Sequence, residues 1–251
     1  MWKTRFVLWI FLGLILGSLE VSAQGLPSVT VSMGGATSPE KMSTTLQILL
    51  MITILSLAPA ILITMTSFTR FMIVFSLLRQ AMGVQNIPPN QVLVGLALFM
   101  SFIVMAPTLK QINEKALQPY LKNEILQDDA LKAAADPIRK FMLQHTREKD
   151  LALFISLSKE KKPESAQEIE TASLIPSFII SELKTAFQIG FMVYIPFLVI
   201  DIVVASILLA MGMMVLPPVI ISLPFKLMLF VLVDGWSLIV GSLVKSFEVI
   251  L

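Results

Sequence analysis

Asp201, Lys226 and Asp234 interrupt an otherwise oily C-terminal region of the chain. An ionised side chain costs several kcal/mol inside a bilayer, so such residues face a protein interior, a partner or a water-filled path. Their types leave two readings open. They form structural ion pairs, for instance Asp201 with Lys226 across a helical hairpin, or they contact neighbouring subunits and line a conduit. In both cases the removal of one partner strands an uncompensated charge. Between them stand Met211, Met213 and Met214, beside Gly212 and ahead of Pro217-Pro218. Methionine is unbranched and polarizable and conforms to irregular surfaces. Several copies of such a turn around an axis would form a deformable apolar collar, tight to water and ions but yielding to a passing polypeptide. Little else in the chain suggests chemistry. The absence of cysteine excludes disulfides, thiolate metal sites and a cysteine nucleophile. The single histidine, His145, leaves little for zinc or acid–base catalysis. With no phosphate-cradling glycine loop and no nucleophile–base pair, neither an enzyme nor a cofactor or metal is expected.

The elements that position these residues follow from composition. Apolar residues make up 56% of the 251 and charged residues 14%, with a mean hydropathy of +0.83. Ordinary soluble domains are about 45–50% apolar and about 25% charged. The expected fold is therefore all-α, with integral membrane-type helical hairpins. A net charge of +2 gives no reason to expect a nucleic-acid partner. The charges are concentrated: Lys110 to Lys184 holds 12 Lys/Arg and 12 Asp/Glu, leaving 12 charges for the rest of the chain. That middle must lie in water.

Residues 1–23 read as a signal peptide, with Lys3 and Arg5 ahead of the apolar run Phe6–Leu16 and small residues at Val21-Ser22-Ala23; a retained transmembrane helix is the alternative. Residues 24–45 form a short polar periplasmic loop, 46–110 a first helical hairpin, 111–185 a charged helical periplasmic insert and 186–251 a second hairpin. The expected spans are Leu46–Thr66, Val92–Leu109, Ala186–Ala210 and Val219–Gly241, each near the ~20 residues a crossing needs. Ser67–Asn90 carries Arg70 and Arg79 and no acid, so the positive-inside rule makes it a basic loop on the cytoplasmic side. Pro88-Pro89 and Pro217-Pro218 each precede an apolar helix, where a missing N–H is harmless. Within the insert, Asp136-Pro137 opens an amphipathic stretch with Ile138, Phe141, Met142 and His145 on one face.

Two stretches carry a family resemblance. The first runs Phe68-Thr69-Arg70-Phe71, Leu77-Leu78-Arg79-Gln80-Ala81-Met82-Gly83, Pro88, Asn90-Gln91 and Gly95-Leu96-Ala97-Leu98-Phe99. The second runs Ile175-Pro176-Ser177-Phe178, Ser181-Glu182-Leu183-Lys184, Ala186-Phe187-Gln188-Ile189-Gly190-Phe191, Asp201, Met213-Met214, Pro217-Pro218, Leu223-Pro224-Phe225-Lys226 and Asp234-Gly235-Trp236. Together they resemble the FliP family of flagellar type III export-gate subunits, similar to the SctR subunits of injectisomes. The signal peptide and sizeable insert are similar to the flagellar branch. The resemblance implies five copies assembling with FliQ-like and FliR-like subunits around a closed protein-conducting pore in the bacterial inner membrane, within the flagellar basal body, with unfolded flagellar proteins as substrates. It implies a methionine gasket at Met213 and Met214, with Val215 in place of a third methionine and Met211 as the residue to compensate. It also implies hairpins at or above the outer leaflet, where hydropathy alone gives four simple spans. The competing function is a small secondary transporter or ion channel using Asp201, Lys226 and Asp234 as a relay.

Overall fold

The computed structural model describes residues 39–84, 86–158, 165, 168–213 and 215–248. The signal peptide expected at 1–23 lies outside the described residues, as do most of the loop at 24–45 and Met214. The chain divides into two units, residues 1–55 and 56–251. The described part of the first is the beginning of helix α1 (Pro39–Thr64).

The second unit is built on α2 (Phe68–Ala81), which occupies the segment read from sequence as a basic loop. That expectation fails for a plain reason. Phe71, Val74, Phe75 and Leu78 fall at i, i+3, i+4 and i+7, the period of a buried helical stripe, and all four are fully buried. Each such side chain contributes about 1.5–3 kcal/mol on burial. The stripe packs with Leu93, Ala97 and Met105 of α3 (Asn90–Ile112) and with Leu174, Phe178 and Ala186 of α7 (Thr171–Ala210). Gly190 of α7 lets the two helices approach closely, because a Cβ there would collide with Leu77.

Helix α3 continues through a π-helical turn, Asn113–Leu117, into the short α4 (Gln118–Leu121). Pro119 sits just past the widened turn, where an ordinary α-helix would drive its ring against the preceding carbonyls. The insert then folds as α5 (Gln127–His145) and α6 (Glu148–Ser158). Pro137, Phe141, Met142 and His145 of α5 are buried, so the amphipathic face points into the core.

The four-span expectation changes. Among the described residues, two stretches can cross a membrane by length and composition, Asn90–Leu121 and Thr171–Ala210. A third crossing exists if α8 (Pro218–Leu232) and α9 (Gly235–Glu248), bent by 64°, count together. In α1 the apolar run among described residues is the shorter Met51–Ile61. Helix α7 has 40 residues and no break at the expected insert boundary of 185/186. At 1.5 Å per residue it is about 60 Å long, roughly twice the hydrocarbon core. Its internal Pro176 and Pro196 are tolerated, as prolines are in membrane helices. The expected span Val219–Gly241 is broken because Asp234 adopts a left-handed φ of 50° between α8 and α9.

Candidate functional site

Lys226 projects from α8 into the core and is 2% exposed. Its Nζ donates to Asp201 Oδ2 on α7 at 2.6 Å and to the Ala81 carbonyl at 3.1 Å. Ala81 is the last residue of α2, so this carbonyl is one of the four a helix end leaves unpaired, and a cation is favoured there. Ser222 stands one turn before Lys226 on the same face of α8, fully buried, and donates to Asp201 Oδ1 at 2.5 Å. Both carboxylate oxygens are thus engaged, while the Asp201 side chain keeps 21% exposure. The ion pair considered across the hairpin forms, and it has two attachments that residue spacing did not suggest: Ser222 and the end of α2.

The clamp holds the hairpin below the turn at residues 211–217. Helix α7 closes there in a Schellman motif: Met213 N donates to Leu208 O at 2.9 Å and Gly212 N to Leu209 O at 3.0 Å. The motif needs a left-handed residue, which Gly212 supplies with φ 72°. Pro217 caps α8 and Pro218 begins it. The turn between is apolar and open to its surroundings. Met211 is 66% exposed, Met213 41% and Val215 95%. Of the expected gasket residues, these three are placed together on one turn; Met214 lies outside the described residues.

Asp234 does not join Asp201 and Lys226. It is exposed at the α8–α9 break, with its carbonyl accepting from Leu238 N at 3.2 Å, and has no ion pair among the described residues. The three charges therefore do not make one buried relay.

Arg70 and Arg79 are likewise not free charges on a solvated loop. Arg79 Nη1 donates to Asn90 Oδ1 at 2.6 Å and to the Pro88 carbonyl at 3.2 Å, tying the end of α2 to the start of α3. Arg70 is buried and pairs with Glu182 of α7 through both forks of its guanidinium, Nε to Oε2 at 2.8 Å and Nη2 to Oε1. Its remaining nitrogen donates to Ser246 Oγ of α9 at 2.8 Å, and the guanidinium lies 3.6 Å over the Phe247 ring. Sequence reading missed this second pair. The signal was available: Glu182 is an acid inside a helix whose neighbours Leu174, Phe178 and Ala186 are apolar, so it requires a cation.

Beside Glu182, the elbow between α5 and α6 docks on α7. Ser181 Oγ donates to Asp150 Oδ2 at 2.8 Å and accepts from Arg147 N at 3.1 Å, while Arg147 Nη2 reaches Gln188 Oε1 and Thr185 Oγ1. Among the described residues, no group of three or more His, Asp or Glu side chains is placed to hold a metal ion.

Comparison with known proteins points to one family. A model of the FliP family matches residues 51–243. A flagellar biosynthetic protein FliP from Bacillus subtilis is 57% identical over 217 residues, covering 86% of this chain and 98% of its own. Its namesake from Pectobacterium carotovorum is 49% identical over 241 residues, covering 94% and 92%. That of Aquifex aeolicus is 51% identical over 205 residues, covering 81% and 86%.

Proposed function

Because the chain belongs to the FliP family, a family of flagellar components and not of enzymes, we propose that it is a pore-forming subunit of the flagellar protein export gate. In this reading the turn at 211–217 is the gasket. Copies of the chain, five by the family resemblance, surround one axis with FliQ-like and FliR-like subunits in the inner membrane. Their turns meet in an apolar collar that excludes water and ions and yields to unfolded flagellar proteins. The insert faces the periplasm.

The observation that carries this reading is the pairing of a soft, exposed apolar tip with a rigid mount. Met211, Met213 and Val215 are open to their surroundings. The helices bearing them are pinned by the Schellman closure and by the Asp201–Ser222–Lys226 clamp. Flexible thioether side chains accommodate varied passing residues, and the buried ion pair fixes where those side chains are presented. Gating here is passive; the chain supplies a barrier and no energy source.

Because the chain has no cysteine, a Met213→Cys variant carries a single thiol. In membranes where the export apparatus assembles, mild oxidation should yield disulfide-linked dimers of this chain. A cysteine at the exposed Leu131 of the insert serves as the control. Assembled complex without a Met213→Cys cross-link would contradict the shared collar.

A further inference from the structure

Asp234 and Arg79 are opposite charges, and neither has a charged partner among the described residues. Asp234 is exposed at the elbow between α8 and α9, where Val231, Leu232 and Val233 before it are exposed as well. A carboxylate set among bare apolar side chains calls for a cation. Arg79 is the converse case. Its two bonds, to Asn90 Oδ1 and to the Pro88 carbonyl, both leave from Nη1 and both reach neutral acceptors. Nε and Nη2 make no bond among the described residues, and a guanidinium is built to offer several donors to one carboxylate. Arg79 lines an open groove of about 420 Å³ on α2, with Ser76, Leu77, Gln80, Gly83 and Val84.

The two features lie at one level of the bundle and on opposite sides of it. Trp236, just past the elbow, packs on Phe75 of α2 with ring centroids 6.3 Å apart. Arg79 stands one turn further along α2, about 6 Å away along the axis. Leu78 turns towards the cluster that holds Phe230 and Phe197. Gln80, two residues on at about 100° per residue, faces some 160° away from Leu78. The groove therefore opens away from the side that α8 covers. The elbow is also firmly supported. Phe230 and Trp236 meet edge-on at 5.5 Å, and a Cβ at Gly235 would collide with the Phe230 ring.

We propose that the elbow of one copy docks in the α2 groove of the next, with Asp234 pairing to Arg79 across the boundary. The inference rests on the reading that several copies surround one axis, and it names the surfaces by which they meet. A closed ring of identical chains needs a heterologous contact, two different patches on each copy that fit one another at the same height. This chain carries such a pair: an apolar knob, Val231–Val233, ending in an acid, and an open groove ending in a cation. Val231, Leu232 and Val233 fill the groove, while the ion pair fixes the height at which neighbours engage and opposes a face-to-face arrangement, in which like charges would meet. Because the knob continues directly from α8, which carries Lys226, each contact braces the helix that holds the neighbouring methionine turn.

The test uses the full chain in membranes where the export apparatus assembles, with Val233→Cys and Gln80→Cys, both exposed positions in a cysteine-free background. Mild oxidation of the double variant should give a ladder of linked copies extending beyond the dimer. Each single variant should stay unlinked, because two like faces do not meet. A link formed by either single variant, or none formed by the double, would overturn the contact. The Met213→Cys cross-link separates the two readings: if it forms and the double variant does not link, the docking surfaces are wrong and the shared axis stands. If neither links in an assembled complex, both fall. A second variant probes the charge alone. Asp234→Asn keeps a residue that tolerates the left-handed backbone, and added to the double variant it should lower the yield of linked copies about tenfold. An unchanged yield would overturn the ion pair.

Discussion

The Arg70–Glu182 and Asp201–Lys226 pairs both join α7 to a neighbouring helix, but they are finished differently. Glu182 and Asp201 are 19 residues apart, about 28 Å along the helix. At the first pair both side chains are dry, the guanidinium grips the carboxylate bidentately, and Ser246 and the Phe247 ring complete its surroundings. At the second, the ammonium is equally dry but the carboxylate retains about a fifth of its exposure, and a backbone carbonyl supplies part of the coordination. The first pair has the construction of a lock for the α2–α7–α9 core. The second lies beside the methionine turn and has the construction of a mount, open on one side. Bidentate Arg–carboxylate geometry favours rigidity, whereas a lysine offers a point charge on a flexible stem.

The largest effect should come from breaking the closed pair. Arg70→Met or Glu182→Leu alone strands a fully buried charge and should cost about 3–5 kcal/mol. A sharply lowered unfolding midpoint of the purified chain, or loss of the chain from membranes, would register it. The double variant should recover most of the loss, because an apolar pair of similar volume replaces the charges. If both singles are tolerated, the lock is not a lock.

Lys226→Met should cost less, about 2–3 kcal/mol, because the stranded Asp201 keeps its Ser222 hydrogen bond and some solvent. Its distinguishing consequence should be functional. Export, read as motility, should fall further than the amount of assembled complex. Equal losses in the two readouts would make the second pair merely structural, like the first.

Smaller again is Gly212→Ala, which forces a side chain into the left-handed closure of α7 at about 1–2 kcal/mol. Ser222→Ala should cost about 1 kcal/mol and leave the Lys226–Asp201 contact in place. Thermal unfolding of the two variants side by side checks the order. A Ser222→Ala loss as large as that of Lys226→Met would mean that the hydroxyl, and not the ammonium, sustains the mount.

The contrast also explains what was legible in the sequence. Asp201 and Lys226 stand 25 residues apart on either side of a Gly- and Pro-marked turn, so hairpin geometry alone brings them together. Arg70 and Glu182 are 112 residues apart, and each was disguised by its setting. Two arginines without acids made α2 read as a basic loop, although its Phe71–Val74–Phe75–Leu78 stripe was already present. Glu182 merged with the charged middle, which cut the 40-residue α7 at a boundary it does not have. A charge neutralised by a distant partner does not stop a helix, and window-averaged hydropathy contains no partners. The break at Asp234 was obscured in the opposite sense. Asp234-Gly235 is a turn signal, but the apolar residues on both sides carried the average across it.

The most direct test of the gasket is ionic leak through the assembled export gate in cells, measured as membrane depolarisation or conductance. Replacing Met211, Met213 and Met214 together with alanine should raise the leak while leaving the complex assembled. An assembled complex with unchanged leak would contradict a seal made by these side chains.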